Sequence, residues 1–212
     1  MPTSPILDLA SLLALAAALG WASGLRLYLV VFGTGLAGWL GWIHLPSGLS
    51  VLQHPALLFG SGAMAFVEFF ADKIPGLDSL WDLVHSVVRI PAGALLAAGA
   101  LGADGASMTA VAALLGGTLA ATSQAAKTTT RAAINTSPEP FSNVMASLVE
   151  DGLVVGSVWL ASTYPVVFGV VLTVVVVLMW IVTRLLFRFL CAVFRRVTAF
   201  LFVDKTIANS RS

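Results

Sequence analysis

Long apolar runs fill most of the chain, and short segments with glycine, proline or charged residues separate them. An apolar run of about 20 residues is long enough to cross the hydrocarbon core of a bilayer as an α-helix. The runs predict helices at about 6–23, 25–43, 55–72, 78–101, 107–122, 140–161 and 165–183. Arg26 lies in the short joint between the first two, and the whole pattern predicts an all-α, polytopic transmembrane helix bundle.

Composition indicates the same class. Of the 212 residues, 58% are hydrophobic and only 10% are charged, and the mean hydropathy is +0.97. A soluble domain has about 25% charged residues, so this chain could not cover a surface that faces water. At about 20 residues for each spanning helix, we expect residues 1–183 to form a single transmembrane domain with about five to seven membrane segments. No basic segment precedes the first apolar run, which predicts a retained helix rather than a cleaved signal peptide.

Basic residues concentrate near the C-terminus, where six of the eleven Lys and Arg residues lie within 184–212. They alternate with bulky apolar residues, which predicts a basic amphipathic helix and tail beside anionic lipid headgroups. The alternative is a continuation of the last span whose arginines reach towards the interface. In either case the positive-inside rule predicts a multi-pass protein of the bacterial inner membrane with a cytoplasmic C-terminus.

A first polar segment at 68–91 carries seven ionisable side chains. Four of them have the spacing of one helical face: Asp78, Asp82, His85 and Arg89. Residues at offsets of 0, 4, 7 and 11 share a face of an α-helix, so these side chains are predicted to form one polar stripe. Glu68 and Asp72, which are also four residues apart, precede a break at Pro75 and Gly76.

A second polar segment at 124–151 has a similar organisation. Lys127 and Arg131 lie four residues apart ahead of a proline-containing break. Beyond it, four positions repeat the spacing of the first stripe after a shift of 61 residues: Glu139, Asn143, Ala146 and Glu150. Either an internal repeat or chance explains this match. Two helix units that are broken by proline or glycine, one in each half of a membrane protein, point to a transport site between them.

The cost of charge in a membrane favours a site at these segments. A charged side chain at mid-membrane costs about 2.5–3.5 kcal/mol, so these residues are expected to pair, to be hydrated or to bind a solute. The alternative is that both segments lie on the membrane surface and carry solvated charges. The candidate substrate- or ion-binding residues are Glu68, Asp72, Lys73, Asp78, Asp82, His85, Arg89, Lys127, Arg131, Asn135, Ser137, Glu139, Asn143, Glu150 and Asp151.

Metal binding is one alternative for the first segment, because carboxylate and imidazole groups bind divalent cations. The candidate metal ligands are Glu68, Asp72, Asp78, Asp82 and His85. Lys73 and Arg89 would neutralise the same carboxylates more simply, and the sequence has neither an HExxH motif nor a cysteine cluster. No catalytic residue or cofactor is predicted, nothing indicates nucleic-acid binding, and a homo-oligomer is left open.

Three stretches resemble a known family: "GLRLYLVVFGTG", "FADKIPGLDSLWDLVHSVVRIPAGALLAAG" and "AKTTTRAAINTSPEPFSNVMASLVEDG". They resemble the motifs of a family of small bacterial integral membrane proteins that is classed as a domain of unknown function, DUF4126. The resemblance covers residues 20–160 approximately. It implies the membrane class and places the two longer motifs on the two polar segments, and it implies no activity.

Together these patterns favour an integral membrane transporter or channel-like carrier for a small solute or ion, with proton coupling as one variant. Its polar site would lie between the 68–91 and 124–151 segments. The alternatives are a divalent-metal carrier, a membrane-embedded enzyme and a non-catalytic membrane interaction protein. In an interaction protein the charged residues would pair fully with one another and leave no solvated cavity.

Overall fold

The computed structural model describes residues 8–74, 76–101, 105–136 and 140–209. This part of the chain contains helices and connecting segments and no strand. The elements in chain order are α1 (Leu9–Trp39), the short 3-10 helix η1 (Ser47–Gln53), α2 (Pro55–Ala71), α3 (Leu77–Leu101), α4 (Ala106–Ile134), α5 (Pro140–Thr163) and α6 (Pro165–Asn209). The predicted all-α class is therefore confirmed.

Five helices are long and apolar enough to cross a bilayer: α1, α3, α4, α5 and α6. A sixth candidate is the pair formed by η1 and α2, which meet at a bend of 69°. The protein is thus a multi-pass membrane protein. The polar end of α4 continues as regular helix to Ile134, and α3 continues through Pro91.

Helix α1 folds back on itself at Arg26. The backbone angles of this residue are non-helical, with φ −146° and ψ 80°. Leu15 and Trp42 nevertheless line one small cavity, whereas a straight helix would separate them by about 40 Å. The arms 9–25 and 27–39 therefore meet at a buried vertex, which confirms the predicted joint at Arg26 and shows that its two helices form a hairpin.

Helix α1 is the centre of the bundle and packs against the other five α-helices. Its first arm approaches α3 and α4 through glycines, and a Cβ added at Gly20 would lie 2.5 Å from the Cα of Gly116. A Cβ at Gly116 would meet the side chain of Ala97 and lie 2.5 Å from the carbonyl oxygen of Gly93. Small residues allow such close packing where lipid removes the hydrophobic force between helices.

The two ends of the bundle differ. Ser11, Trp42, His44 and Ser162 line a common cavity at one end, which we call the Trp42 end. The vertex at Arg26 and the C-terminal ends of α2 and α4 lie towards the other, which we call the Asn135 end. The polar residues of both sequence segments therefore approach one another near the Asn135 end.

Helix α6 is longer than a bilayer requires. Its 45 residues extend about 68 Å, whereas the hydrocarbon core is about 30 Å thick. It begins next to the Trp42 end, so its basic half continues beyond the Asn135 end. The basic segment and the last span thus form one continuous helix, in agreement with the alternative of a continued span. Its contact with lipid headgroups stays a prediction.

The glycine contact between α1, α3 and α4 leads to a test. The substitution Gly116→Ala should lower the free energy of unfolding by about 1–3 kcal/mol, because a methyl group there overpacks the interface. Gly169→Ala in α6, where an added Cβ meets nothing within 4 Å, should leave it unchanged or slightly higher. Unfolding in mixed detergent and SDS micelles measures both, and equal stability of the two variants would contradict this packing.

Candidate functional site

Nine charged residues of α1 to α5 and their ends form one group inside the bundle, which we call the ion-pair cluster. Its members are Arg26, Glu68, Asp72, Asp82, Arg89, Lys127, Arg131, Glu150 and Asp151. All but Glu150 and Asp151 have side chains that are at most 1% exposed. The cluster therefore joins the two polar segments in the interior of the protein and not on a water-facing surface.

Lys127 of α4 is the centre of the cluster. Its Nζ lies 2.8 Å from Asp72 Oδ2, 3.1 Å from Asp82 Oδ1 and 3.2 Å from Glu150 Oε2. It also donates a hydrogen bond of 3.0 Å to the carbonyl oxygen of Leu25, the residue that precedes the break in α1. One ammonium group thus holds carboxylates from the end of α2, from α3 and from α5 against the vertex of α1.

Arg89 of α3 extends the cluster on one side. Its Nη2 lies 2.6 Å from Glu68 Oε1, and its Nη1 lies 2.7 Å from Asp82 Oδ1. The same Nη1 donates to Gln124 Oε1 of α4 at 2.9 Å. Charge-assisted hydrogen bonds of this length are about twice as strong as neutral ones. Arg89 therefore ties α2, α3 and α4 together.

Arg131 of α4 extends the cluster on the other side. Its Nη2 donates to Glu150 Oε1 at 3.1 Å, and its Nη1 donates to Asn143 Oδ1 at 3.1 Å. Nη1 also donates to the backbone carbonyl of Asp72 at 3.1 Å, where α2 has ended. The guanidinium thereby joins the end of α2 to the first half of α5.

Arg26 belongs to the cluster although it was absent from the candidate residues. Its Nε lies 2.9 Å from Asp151 Oδ1, and its Nη2 lies 3.3 Å from Asp72 Oδ2 and donates to Ser147 Oγ at 2.6 Å. A signal was present, because Arg26 is the only Asp, Glu, Lys or Arg between residues 9 and 67. Gln124 and Ser147 were also missed, because neither falls on the spaced positions from which Asn143 was chosen.

A second polar group lies at the Asn135 end, and we call it the polar latch. It consists of Asp78, Ser79, Asn135 and Asn143. The Oδ1 of Asp78 accepts from the backbone N–H groups of Gly76 and Ser79 at 2.8 and 2.7 Å. Asn135 Nδ2 donates to both carboxylate oxygens of Asp78, at 3.0 and 3.1 Å, and Asn143 Nδ2 donates to Asn135 Oδ1 at 3.0 Å. The latch ties the start of α3 to the end of α4 and to α5.

Two of the described candidate residues lie outside both groups. His85 stacks on Trp81 with ring centroids 4.0 Å apart, and its Nδ1 lies 2.9 Å from the carbonyl oxygen of the same residue. Lys73 donates to Phe69 O at 3.0 Å and to Ser147 Oγ at 3.2 Å, so it borders the cluster. Ser137 and Glu139 lie outside the described residues.

The metal alternative gains no support from this geometry. Within the described part of the chain, no three His, Cys, Asp or Glu side chains are grouped so that they could hold a metal ion. Of the candidate ligands, Glu68, Asp72 and Asp82 instead face Lys127 and the arginines, and Asp78 accepts from Asn135 and from backbone N–H groups. Arg89 thus neutralises two of them as the sequence suggested, whereas Lys73 donates to Phe69 O and Ser147 Oγ instead.

Charges in the cluster nearly balance. Arg26, Arg89, Lys127 and Arg131 oppose five carboxylates, and Lys73 beside Ser147 makes the numbers equal. Five carboxylate oxygens, however, have no hydrogen-bond partner among the described residues: Glu68 Oε2, Asp72 Oδ1, Asp82 Oδ2, Glu150 Oε2 and Asp151 Oδ1, of which the last two lie within ion-pair distance of Lys127 and Arg26. Such atoms are costly to bury. These oxygens are therefore the least satisfied polar atoms of the cluster.

Residues 13–185 match the family described as Domain of unknown function (DUF4126). The chain belongs to this family. The predicted resemblance is thus confirmed, and the match extends over α1, which the sequence motifs covered only from its middle. No curated protein and no solved structure matches the chain. The matched residues include every member of the ion-pair cluster, and the family description assigns no activity to them.

A double-mutant cycle tests whether the cluster is energetically coupled. Arg89→Leu leaves Glu68 and Asp82 without that partner in the interior, and we expect it to lower the free energy of unfolding by about 3–5 kcal/mol. Adding Glu68→Leu should recover part of this loss, because the unpaired buried carboxylate is then removed. The coupling energy in detergent and SDS unfolding should exceed about 1 kcal/mol. Strictly additive effects would show that the two groups do not interact.

Proposed function

We propose that the protein is a membrane transporter for a small solute or ion, and that the ion-pair cluster is its proton-coupling site. One observation carries the proposal: the ammonium group of Lys127 contacts Asp72, Asp82 and Glu150 beside the break in α1. These three carboxylates come from three different helical segments. A change at one of them therefore changes how those segments are held together.

The energy of the cluster favours a functional role. Replacing buried ion pairs with apolar residues of similar volume is often neutral or stabilising, so such pairs are weak evidence for a stability role. Ionisable residues inside membrane segments are rare, and those that occur mark ion pathways and proton relays. Helix packing alone does not need nine charged residues in one small bundle, so their presence supports a role in transport.

The interrupted helices also support transport. Backbone that leaves helical geometry at membrane depth is tolerated where it is buried in protein or lines a water-filled cavity. The vertex at Arg26 and the joint after Asp72 are both interruptions, and both contact the cluster. Broken helices that meet at a polar site are typical of secondary transporters.

A proton could change the cluster as follows. When Asp72 takes up a proton, its contacts to Lys127 and Arg26 weaken, because a neutral acid attracts cations less. Lys127 then relies on Asp82 and Glu150, so that α4 stays joined to α3 and α5, while the end of α2 is held by Arg131 on the Asp72 carbonyl group and by Arg89 on Glu68. Release of the proton restores the original pairing. The polar latch would limit access from the Asn135 end during this cycle.

Further assignments follow from the same proposal. Asp72, Asp82 and Glu150 are the proposed proton or cation sites, and Arg131 with Asn143 would meet an anionic group of the solute. The basic half of α6 would bind anionic lipid headgroups on the cytoplasmic side of the inner membrane.

A membrane interaction protein is the second candidate. Each charged side chain of the cluster contacts at least one of opposite charge, which is what this candidate predicts. In this case the ion pairs of the cluster would be permanent structural contacts that hold α1 against its neighbouring helices. The two candidates differ in whether the cluster ever changes its protonation during function.

Proton flux tests the transport proposal. Liposomes that contain pyranine and the purified protein should acidify inside faster than liposomes without protein when valinomycin sets an inside-negative potential. The measurement is made without a solute and again with an added mixture of small solutes. Asp72→Asn and Glu150→Gln should each reduce this flux at least tenfold. Asp8→Asn should keep it, because Asp8 is an exposed N-cap outside the cluster and Asn can also cap a helix.

The result that supports the second candidate is equally clear. Wild-type protein that is monodisperse, yet gives the flux of empty liposomes under every condition, would overturn the transport proposal. A large coupling energy between Glu68 and Arg89 in the same preparation would then favour a purely structural role of the cluster in a membrane interaction protein.

Membrane orientation provides a further test. In a Cys191→Ser background, Ser50→Cys in η1 and Thr136→Cys after α4 replace exposed hydroxyl residues at opposite ends of the bundle. With a cytoplasmic C-terminus, a membrane-impermeant maleimide should label position 50 in intact bacterial spheroplasts and position 136 only after permeabilisation. The reverse order of labelling would place the cluster end outside the cell and contradict the proposed orientation.

A further inference from the structure

A cavity of about 540 Å³ lies between the second arm of α1 and the last half of α5. Its walls include Leu29, Val30, Gly33, Val154, Val158 and Trp159. It is separate from the ion-pair cluster, because no cluster residue lines it. Ligand cavities of proteins usually measure about 300–1,000 Å³, so this one has the size of a small-molecule site.

The cavity continues into a smaller space of about 250 Å³ at the Trp42 end. The two spaces share four lining residues: Trp42, Ile43, Ser162 and Thr163. Ser11 and His44 complete the smaller space. The combined site therefore has a largely apolar interior, in which Thr34 supplies a hydroxyl group, and a mouth with hydroxyl and imidazole groups. Among the described residues, no Asp, Glu, Lys or Arg lines either space.

The inner end of the cavity lies close to the cluster. Val30 and Val154 are 1% and 2% exposed and both line the cavity. Each is four residues, or about one helical turn, from a cluster residue, namely Arg26 in α1 and Glu150 in α5. An apolar ligand that fills the cavity would thus end about one turn from the charged groups.

We propose that this cavity binds a single-chain amphiphile, with the chemistry of a long-chain fatty acid. Its chain would lie between α1 and α5, and its head would accept hydrogen bonds from His44 and the hydroxyl groups at the mouth. A single chain fits because the space lies between two helices and most of its hydrogen-bonding groups, those of Ser11, His44, Ser162 and Thr163, lie at the mouth, with the hydroxyl group of Thr34 further in. The proposal is independent of transport, since binding can be measured without a gradient.

Photo-crosslinking identifies the bound molecule and its position. Full-length protein in detergent is irradiated with a diazirine-bearing palmitate, and mass spectrometry maps the labelled residues. We expect saturable labelling within 29–37 and 154–163, at about one molecule for each chain, that an excess of unlabelled palmitate reduces at least tenfold. Labelling of the outer face of α6, which faces detergent, should not be reduced by the competitor.

Matched glycine variants test the cavity. Gly33 lines the cavity and Gly60 of α2 does not, and an added Cβ meets nothing within 4 Å at either position. Gly33→Leu should therefore fill the cavity and reduce its labelling at least tenfold, whereas Gly60→Leu should keep the wild-type amount. His44→Ala, an exposed position, should weaken competition by palmitate about three- to tenfold without affecting folding.

Four outcomes would overturn the proposal. They are labelling of the cavity residues that palmitate does not reduce, labelling that survives Gly33→Leu in a folded protein, unchanged competition in His44→Ala, and displacement by a two-chain phospholipid but not by palmitate. The first would indicate ordinary detergent or lipid contact, and the last would indicate a different class of lipid. None of these outcomes bears on proton flux, so the proposed function would be judged separately.

Discussion

The ammonium group of Lys127 is the contact on which the arrangement of the bundle depends. Lipid tails are as apolar as the side chains of these helices, so burial of apolar surface does little to choose between alternative helix packings. A charge without a partner is expensive at the same depth. Three carboxylates and one carbonyl group around a single Nζ therefore set the depth of α1, the end of α2 and the positions of α3 and α5 together.

Close glycine packing and the ion-pair cluster depend on each other. A Cβ at Gly24 would overlap the backbone of Ala120 and the side chain of Ser123, so the first arm of α1 touches α4 there. One residue later the carbonyl group of Leu25 reaches Lys127. A larger side chain at Gly24 would move the vertex away from the ammonium group. The small residues thus allow the polar contacts to form, and the polar contacts fix which small residues meet.

Much of this fold could be predicted from spacing, while the pairing within the site could not. Asp82 and Arg89 share a helical face by their offset, and both are buried in the cluster. The spacing also placed His85 on that face, but its ring stacks along its own helix on Trp81 and does not turn into the cluster. The spacing of residues identifies the helix face on which they lie. Their partners on other helices depend on how each helix is rotated about its axis and how deep it lies in the bundle. For the same reason the break at Arg26 was visible in the sequence, but the fold-back of α1 was not.

The buried vertex of α1 has a consequence for how the chain is made. Arg26 is synthesised and delivered to the membrane before Asp72, Ser147 and Asp151, which are its partners. During that interval the hairpin would carry an unpaired guanidinium group into lipid, at a cost of several kcal/mol on insertion scales. We therefore expect the α1 hairpin to settle in two steps, when Asp72 first supplies a carboxylate and when Ser147 and Asp151 of α5 complete the pairing. The central helix of the bundle thus depends on segments that follow it in the chain.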